Sequence, residues 1–316
     1  MIASLIPVGF LVAASLITLS SISTPLFLLQ LLWATIGFGI IFLLLLFDWR
    51  SFLNYRWLIT GFYLLVIALL VLVYFAGPVI RNVRGWLVLG PFQFQPVELM
   101  KIALILVYAE YFSRRHLSVA RWRNIFTSFL YFIVPALLVA VQPDLGSVAV
   151  LFGIWFGFLL VSGLPPRRVI AALIFFVIAG VLLWTSVLEN YQRERILGVF
   201  YPERNSLSVN YSVIQSKIAI GSAGLFGKGY NQGSQTQLGF LTEPATDFIF
   251  AAFVEEWGWL AGILLIGAFL TLIYRILKVG FVADQNFEKF ICLGSAMVLG
   301  LQFFLKIGRA SCRERV

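Results

Sequence analysis

Residues 26–47 read Leu-Phe-Leu-Leu-Gln-Leu-Leu-Trp-Ala-Thr-Ile-Gly-Phe-Gly-Ile-Ile-Phe-Leu-Leu-Leu-Leu-Phe and contain no charged residue. An α-helix of this length crosses a hydrocarbon core of about 30 Å. Similar apolar runs recur along the 316 residues, of which 61% are hydrophobic and 12% charged, whereas a soluble domain carries roughly 25% charged residues. The sequence therefore predicts an all-α, polytopic membrane protein with one membrane domain over residues 1–306.

Nine apolar runs are candidate transmembrane helices. They cover roughly residues 3–20, 26–47, 58–77, 97–113, 125–141, 147–163, 169–188, 248–274 and 289–306. Because the first run lacks the basic start of a signal peptide, we interpret it as the first span. A cytoplasmic N-terminus gives the short inside loops eleven Lys and Arg residues and the short outside loops two, as the positive-inside rule favours. The formal charge of +9 is then a topology signal, and no nucleic-acid partner is expected.

The predicted orientation brings three polar segments to the outer face. They are Gln95-Pro96-Val97-Glu98, Gln142-Pro143-Asp144-Leu145-Gly146 and the long segment 189–247 before the eighth span. Loops of such length are usually functional or disordered, and this one mixes aromatic, basic and glycine residues in a way that disordered tracts seldom do. We expect a large, partly folded extracytoplasmic loop.

Ionisable residues within predicted spans are functional candidates because burying a charge in a membrane is costly. Glu98 and Lys101 are three residues apart, so they share a helical face and can form either a structural or a substrate-facing pair. Glu255 and Glu256 lie about 12 Å beyond Asp247 along a helix. Being adjacent, they point about 100° apart, so at most one faces a given cavity. Carboxylates at this depth also fit the proton path of a transporter.

Two aspartates admit both a structural and a functional interpretation. Asp144 lies in a Pro-Asp-Leu-Gly turn, where aspartate is favoured for local hydrogen bonding. Asp247 immediately precedes Phe248-Ile249-Phe250, which places a carboxylate at the outer end of a membrane helix. It is either an N-cap or a catalytic group.

The long loop also combines glycines with cations. Gly221-Ser-Ala-Gly224 and Gly227-Lys228-Gly229 provide flexible backbone and exposed amides, which suit a phosphate, although no P-loop pattern is present. Further cations are Lys217, Arg193, Arg195 and Arg204. Cys292, Cys312 and His116 indicate neither a disulfide framework nor a metal site.

Read in order, these motifs resemble the SEDS family of shape, elongation, division and sporulation proteins. The resemblance rests on Arg84-Gly-Trp86, Phe94-Gln-Pro-Val-Glu98 with Lys101, Gln142-Pro-Asp-Leu-Gly146, Tyr191-Gln-Arg-Glu-Arg195, and nearly sixty residues that include Ile214-Gln-Ser-Lys-Ile-Ala-Ile-Gly-Ser222, Thr246-Asp-Phe-Ile-Phe250 and Glu255-Glu256. The Gln-Ser-Lys-Ile-Ala-Ile-Gly-Ser stretch is more similar to the RodA branch, which serves cell elongation, than to the division branch.

The resemblance implies a peptidoglycan glycosyltransferase that polymerises lipid II at the outer leaflet of the bacterial cytoplasmic membrane, beside a class B penicillin-binding protein and other elongation-complex proteins. In the family the aspartate at the position of Asp247 is taken as essential, and our hypothesis is that it is the general base. The leaving lipid pyrophosphate needs positive charge, for which the candidates are Lys217, Lys228, Arg193 and Arg195. Glu98 and Lys101 are expected to line the cavity. Other motif residues are Gln95, Pro96, Gln142, Asp144, Gln215, Glu255 and Glu256. A divalent cation is compatible with this chemistry, although no ligand spacing indicates one.

The chain departs from the family at its end. The family has ten spans and a Pro-Leu-Pro…Ser-Tyr-Gly-Gly stretch that are absent here, and residues 307–316 read like a translated sequencing adapter. We expect that tail to be non-native and the truncated chain to be inactive. The main alternative function is a flippase or transporter of a lipid-linked precursor, although no inverted repeat with paired broken helices is evident. Others are the division or sporulation paralogue and a non-catalytic scaffold.

Overall fold

The computed structural model describes residues 2–46, 55–78, 84–89, 92–115, 122–163, 165–186, 193 and 211–309. Eleven helices lie in these ranges: α1 (Ile2–Ile22), α2 (Thr24–Leu46), α3 (Arg56–Ala76), α4 (Pro96–Arg115), α5 (Trp122–Val141), α6 (Leu145–Val161), α7 (Pro166–Ser186), α8 (Tyr211–Ser222), α9 (Ser234–Gln237), α10 (Ile249–Val282) and α11 (Asn286–Arg309). All but α8 and α9 overlap a predicted span. The predicted helical, polytopic membrane architecture is therefore confirmed.

Six of the described helices are long and apolar enough to cross a membrane, and α6 is a shorter apolar helix. Helix α4 is different because it carries Glu98, Lys101, Glu110 and two arginines. Many of its side chains are buried, including Met100, Leu104 and Tyr108. Protein therefore surrounds much of a helix whose charges would be costly to expose to lipid.

Two details differ from the prediction. Helix α10 continues to Val282, beyond the predicted end at residue 274, because hydropathy marks the lipid boundary whereas helical hydrogen bonding continues into the polar interface. Between α3 and α4 the chain forms a two-stranded antiparallel sheet, β1 (Leu87–Leu89) and β2 (Phe92–Phe94). Strands of three residues are too short to give a recognisable period of two.

The chain divides into two compact units. Unit 1 comprises Met1–Phe47, Ile178–Arg275 and Phe303–Val316, and unit 2 comprises Asp48–Val177 and Ile276–Gln302. The single membrane domain expected over 1–306 remains a prediction. The non-native origin of 307–316 also remains one. Residues 307–309 continue α11, and residues 310–316 lie outside the described residues.

Unit 2 is held together by aromatic stacking and by close helix contact. Phe112 of α4 stacks on Phe158 of α6 with ring centroids 6.0 Å apart. On α6, a Cβ added to Gly153 or Gly157 would lie 2.5 Å from Leu301 or Met297 of α11. Small residues let membrane helices approach closely, so these glycines set the contact between α6 and α11.

Unit 1 packs the described part of the long loop onto α1 and α10. One buried cluster joins Ala219 of α8 and Leu241 to Phe248, Ala251 and Ala252. A second joins Ala14 of α1 and Ala223 to Phe253 and Val254 of α10. Residues 211–247 are therefore folded onto these helices, in agreement with the predicted, partly folded loop.

Candidate active site

Helix α10 is interrupted at Gly258, where the backbone leaves the helical region (φ 83°, ψ 176°). In a continuous helix the N–H groups of Trp259 and Leu260 would donate to the carbonyls of Glu255 and Glu256. The break separates these donors from these acceptors. Four backbone groups inside an apolar helix then need other partners.

The loop 224–229 supplies those partners. It donates two N–H groups to the first half of α10 and accepts two from the second half. The bonds run from Lys228 N to Glu255 O (3.0 Å), Gly229 N to Glu256 O (3.0 Å), Trp259 N to Gly224 O (3.0 Å) and Leu260 N to Leu225 O (3.3 Å). The loop therefore replaces one turn of helical hydrogen bonding and is fixed to α10 through its backbone.

Two glycines make this contact possible. Gly227 and Gly258 both have positive φ, at 81° and 83°. A Cβ on Gly227 would collide with the Glu256 carbonyl, and one on Gly258 would collide with backbone atoms of Gly227 and Leu225. A side chain at either position would be strained by its backbone conformation and would push the loop away from the helix.

Glu255 is fully buried and holds the loop from the other side. Its carboxylate accepts hydrogen bonds from the Lys228 ammonium at 2.8 Å, the Thr236 hydroxyl at 2.8 Å and the backbone N–H groups of Gln235 at 2.9 Å and Thr236 at 3.1 Å. Lys228 also donates to the Ser234 hydroxyl at 2.8 Å. A buried carboxylate with an ammonium and three further donors is well compensated, so Glu255 has a structural role in this unit.

Glu256 joins a separate network that reaches α1. Its Oε1 accepts from the Ser21 hydroxyl and, at 3.4 Å, from the Gln237 side chain. Gln237 also donates to the Ser21 hydroxyl and carbonyl, at 3.0 and 3.2 Å. The adjacent carboxylates thus point to different partners, as the 100° separation predicted. Ser21 was not among the predicted site residues, and its polar side chain at the end of an apolar first span was the available signal.

Asp247 lies half-buried in the turn before α10. Helix α10 begins at Ile249, and the Ala252 N–H donates to the Phe248 carbonyl at 3.1 Å, so Phe248 is at the N-cap position and Asp247 precedes it. Glu243, which has a positive φ of 53°, accepts from the backbone N–H groups of Thr246 and Phe248 through its carbonyl. The buried Phe248 side chain and this turn fix the backbone on both sides of Asp247.

The cations predicted for pyrophosphate are in different environments. Lys217 is exposed on α8, whereas Lys228 is mostly buried against Glu255, with 24% of its side chain exposed. Arg193 donates to the Thr185 carbonyl at 3.1 Å, and Arg195 lies outside the described residues. Gln215 is half-buried on α8. The role of each toward pyrophosphate stays a prediction.

The motifs of unit 2 meet at the start of α6. The Asp144 carboxylate accepts from the Ser147 N–H at 3.1 Å and hydroxyl at 2.6 Å, which caps the helix. The Gln95 side chain, which directly precedes Pro96 at the start of α4, donates to Asp144 at 3.2 Å. Gln142 is buried and donates to the Leu70 carbonyl at 3.0 Å. The two Gln-Pro motifs thus support one another, in agreement with the structural interpretation of Asp144.

Glu98 and Lys101 form the expected pair, with Lys101 Nζ 2.7 Å from Glu98 Oε1. The ammonium end is buried, whereas 52% of the Glu98 side chain is exposed. Gln302 of α11 donates to the second Glu98 oxygen at 3.4 Å. Glu98 is therefore the member of the pair that remains accessible to a ligand.

The predicted site residues are thus divided between the two units. Unit 1 contains Arg193, Gln215, Lys217, Lys228, Asp247, Glu255 and Glu256, and unit 2 contains Gln95, Pro96, Glu98, Lys101, Gln142 and Asp144. Over the described ranges, no group of three or more His, Cys, Asp or Glu side chains is arranged to hold a metal ion.

Comparison with known proteins gives consistent matches. The family model of the FtsW, RodA and SpoVE cell cycle proteins matches residues 1–312. The chain is 38% identical to the peptidoglycan glycosyltransferase MrdB of Escherichia coli K12 over 251 residues, which are 79% of this chain and 67% of that protein.

Solved structures share the fold. A chain from a peptidoglycan synthase complex that coordinates polymerization and crosslinking is similar over 100% of this chain and 88% of its own length, with a TM-score of 0.84 and 27% identity. The rod shape determining protein RodA of Thermus thermophilus is similar over 97% of this chain and 83% of its own length, with a TM-score of 0.70 and 26% identity.

Proposed function

Because the chain belongs to the FtsW, RodA and SpoVE family of cell cycle proteins, we propose that it is a peptidoglycan glycosyltransferase that polymerises lipid II during cell elongation. Its 38% identity to a peptidoglycan glycosyltransferase of Escherichia coli supports the activity. The Gln215-Ser-Lys-Ile-Ala-Ile-Gly-Ser222 stretch, which resembles the RodA branch, supports elongation over the division and sporulation paralogues, and the chain shares its fold with RodA of Thermus thermophilus.

We propose Asp247 as the general base that accepts the proton of the acceptor sugar hydroxyl. The observation that carries this assignment is the difference between Asp247 and the two acidic side chains within the first half of α10. Glu255 and Glu256 are buried within hydrogen-bond networks, whereas Asp247 is only half-buried and lies just before the start of α10 on a fixed backbone. Lys217, exposed on α8 in the same unit, is our first candidate for stabilising the leaving pyrophosphate.

The location and partners follow from the same proposal. Lipid II carries its disaccharide on a membrane-anchored pyrophosphate, so the chain would act in the bacterial cytoplasmic membrane. The positive-inside rule supports a cytoplasmic N-terminus. The fold similarity to a synthase complex that couples polymerization to crosslinking supports a crosslinking partner, which we propose to be a class B penicillin-binding protein.

The test is lipid II polymerisation in proteoliposomes that contain a full-length version of the protein and its transpeptidase, with wild type beside Asp247→Asn. This substitution keeps the shape of the side chain and removes its basicity, so we expect the rate to fall by roughly 10²–10⁴-fold, as for loss of a general base. Asp284→Asn, at an exposed aspartate between α10 and α11, is the matched control and should retain full activity.

A flippase would give a different result. In the same vesicles it would move lipid II between leaflets and form no glycan polymer, with or without Asp247→Asn. Polymer formation by Asp247→Asn at the wild-type rate would leave the family assignment intact and eliminate Asp247 as the base.

A further inference from the structure

A cavity of about 100 Å³ lies in unit 2, and none of the residues assigned to catalysis lines it. It is bounded by α3, α4 and α5 at one end of these helices, and its lining includes Arg56, Thr60, Glu110 and Tyr131. Bulk water occupies about 30 Å³ per molecule, so the cavity has room for a group larger than one water. The positive-inside rule predicts that this end faces the cytoplasm.

The charges around the cavity are unequal. Glu110 Oε1 lies 3.0 Å from Arg56 Nε and 2.8 Å from Arg114 Nε. One carboxylate therefore faces two guanidinium groups, which leaves an excess of one positive charge. Both contacts use Nε, so the N–H groups on the two terminal nitrogens of each arginine are not used in them. Each arginine side chain is more than half exposed, at 58% and 54%, while Glu110 is mostly buried.

The other polar groups at the cavity are engaged differently. The Tyr63 hydroxyl donates to the Tyr131 carbonyl at 2.9 Å, and the Tyr111 hydroxyl donates to the Asn124 carbonyl at 3.1 Å. Both phenols are therefore committed to holding α5 against α3 and α4. The cationic donor in the lining is the Arg56 guanidinium, whose shape matches the geometry of phosphate oxygens.

We propose that this cavity binds a phosphate group at the membrane interface, carried by an anionic phospholipid. Basic pockets between transmembrane helices on the cytoplasmic side are suited to anionic head groups. Arg56, which lines the cavity, would contact the phosphate, and Arg114, held on the same Glu110 oxygen, would add positive charge beside it. The apolar outer faces of α3 and α5, which expose Trp57 and Phe126, would lie along the acyl chains. Glu110 would hold both guanidinium groups in place and limit the affinity by its own charge.

The shared chemistry is a phosphate anion, and a soluble phosphate is its other source. The test uses the full chain in a neutral detergent, with binding of phosphatidylglycerol, phosphatidylcholine and inorganic phosphate each measured by titration and native mass spectrometry. We expect phosphatidylglycerol to bind more tightly than phosphatidylcholine. Inorganic phosphate that binds alone and fully displaces the lipid would assign the site to a soluble ligand and overturn the lipid proposal.

Three variants locate the site. Arg56→Gln and Arg114→Gln should each weaken phosphatidylglycerol binding roughly fivefold, because one cation near an anionic lipid surface contributes about 1 kcal/mol. Glu110→Gln should strengthen it, which distinguishes a local charge effect from damage to the fold. Arg167→Gln, at an exposed arginine on α7, should leave binding unchanged. Equal binding of both lipids, or no response to any of the three cavity variants, would overturn the proposal.

Discussion

The buried pair of Glu255 and Lys228 gives the sharpest prediction about how the loop is held. Glu255 is fully buried, and Lys228 keeps 24% of its side chain exposed. Removing one member of a buried pair typically costs about 3–5 kcal/mol because the other charge is left uncompensated. Since the Lys228 ammonium is partly exposed to solvent, we expect Glu255→Gln to lower the free energy of unfolding by about 3 kcal/mol, at the lower end of that range.

The assay is the apparent melting temperature of the purified chain in detergent, measured at one scan rate because unfolding of membrane proteins is commonly irreversible. For a chain of 316 residues, an unfolding entropy of about 2.1 cal/mol/K per residue makes about 3 kcal/mol correspond to a decrease of roughly 4–5 °C. Asp284→Asn is the control. Asp284 is exposed between α10 and α11, so the melting temperature of this variant should stay within about 2 °C of wild type.

A double substitution tests whether the unpaired charge causes the loss of stability. In Glu255→Gln with Lys228→Met no charge remains, so the penalty for an unpaired charge disappears. The double variant should then melt at or above the temperature of Glu255→Gln alone, with a coupling free energy of about 1.5–3 kcal/mol. Strictly additive decreases, or a Glu255→Gln variant that melts with wild type, would refute the pairing as the source of stability.

Two further predictions concern the backbone. Gly227→Ala and Gly258→Ala should each lower the free energy of unfolding by more than about 2 kcal/mol, because the new Cβ collides with backbone atoms and the left-handed backbone alone costs a non-glycine residue about 1–2 kcal/mol. Gly224 also has a positive φ, but the space around its Cβ is open. Gly224→Ala should therefore show only the cost of the backbone conformation in the same melting assay. Asp144→Ala should lower stability by about 0.5–2 kcal/mol through loss of the α6 cap, while Asp144→Asn, which can still accept from the Ser147 N–H, should lose less.

The sequence predicted the membrane helices well because hydropathy reports directly which solvent a segment needs. Residues 26–47 are too apolar and too long a run to be exposed to water, and in the structure α2 covers Thr24–Leu46. The pairing of Glu98 with Lys101 was also predictable, because a spacing of three residues places two side chains on the same face of a helix. Both predictions used only local spacing.

The break in α10 could not be predicted in the same way. A single glycine in an apolar run usually remains helical at a cost of about 1 kcal/mol, so Gly258 gives no distinctive signal. Its break is stable because the loop 224–229 supplies four backbone hydrogen bonds from residues about thirty positions earlier. The Ser21 contact with Glu256 joins residues 235 positions apart. Such partners emerge only when the chain is folded.

The broken helix also bears on the transporter alternative. In many transporters a discontinuous helix presents free N–H and carbonyl groups to substrate or ions. In this chain the four groups released around Gly258 are bonded to the loop, so they offer no such site. Of the carboxylates that motivated a proton path, Glu255 is held by Lys228, and Glu256 accepts from Ser21 through one oxygen, Oε1. The break therefore serves to fix the loop on α10, and the loop carries the half-exposed Asp247 at its end.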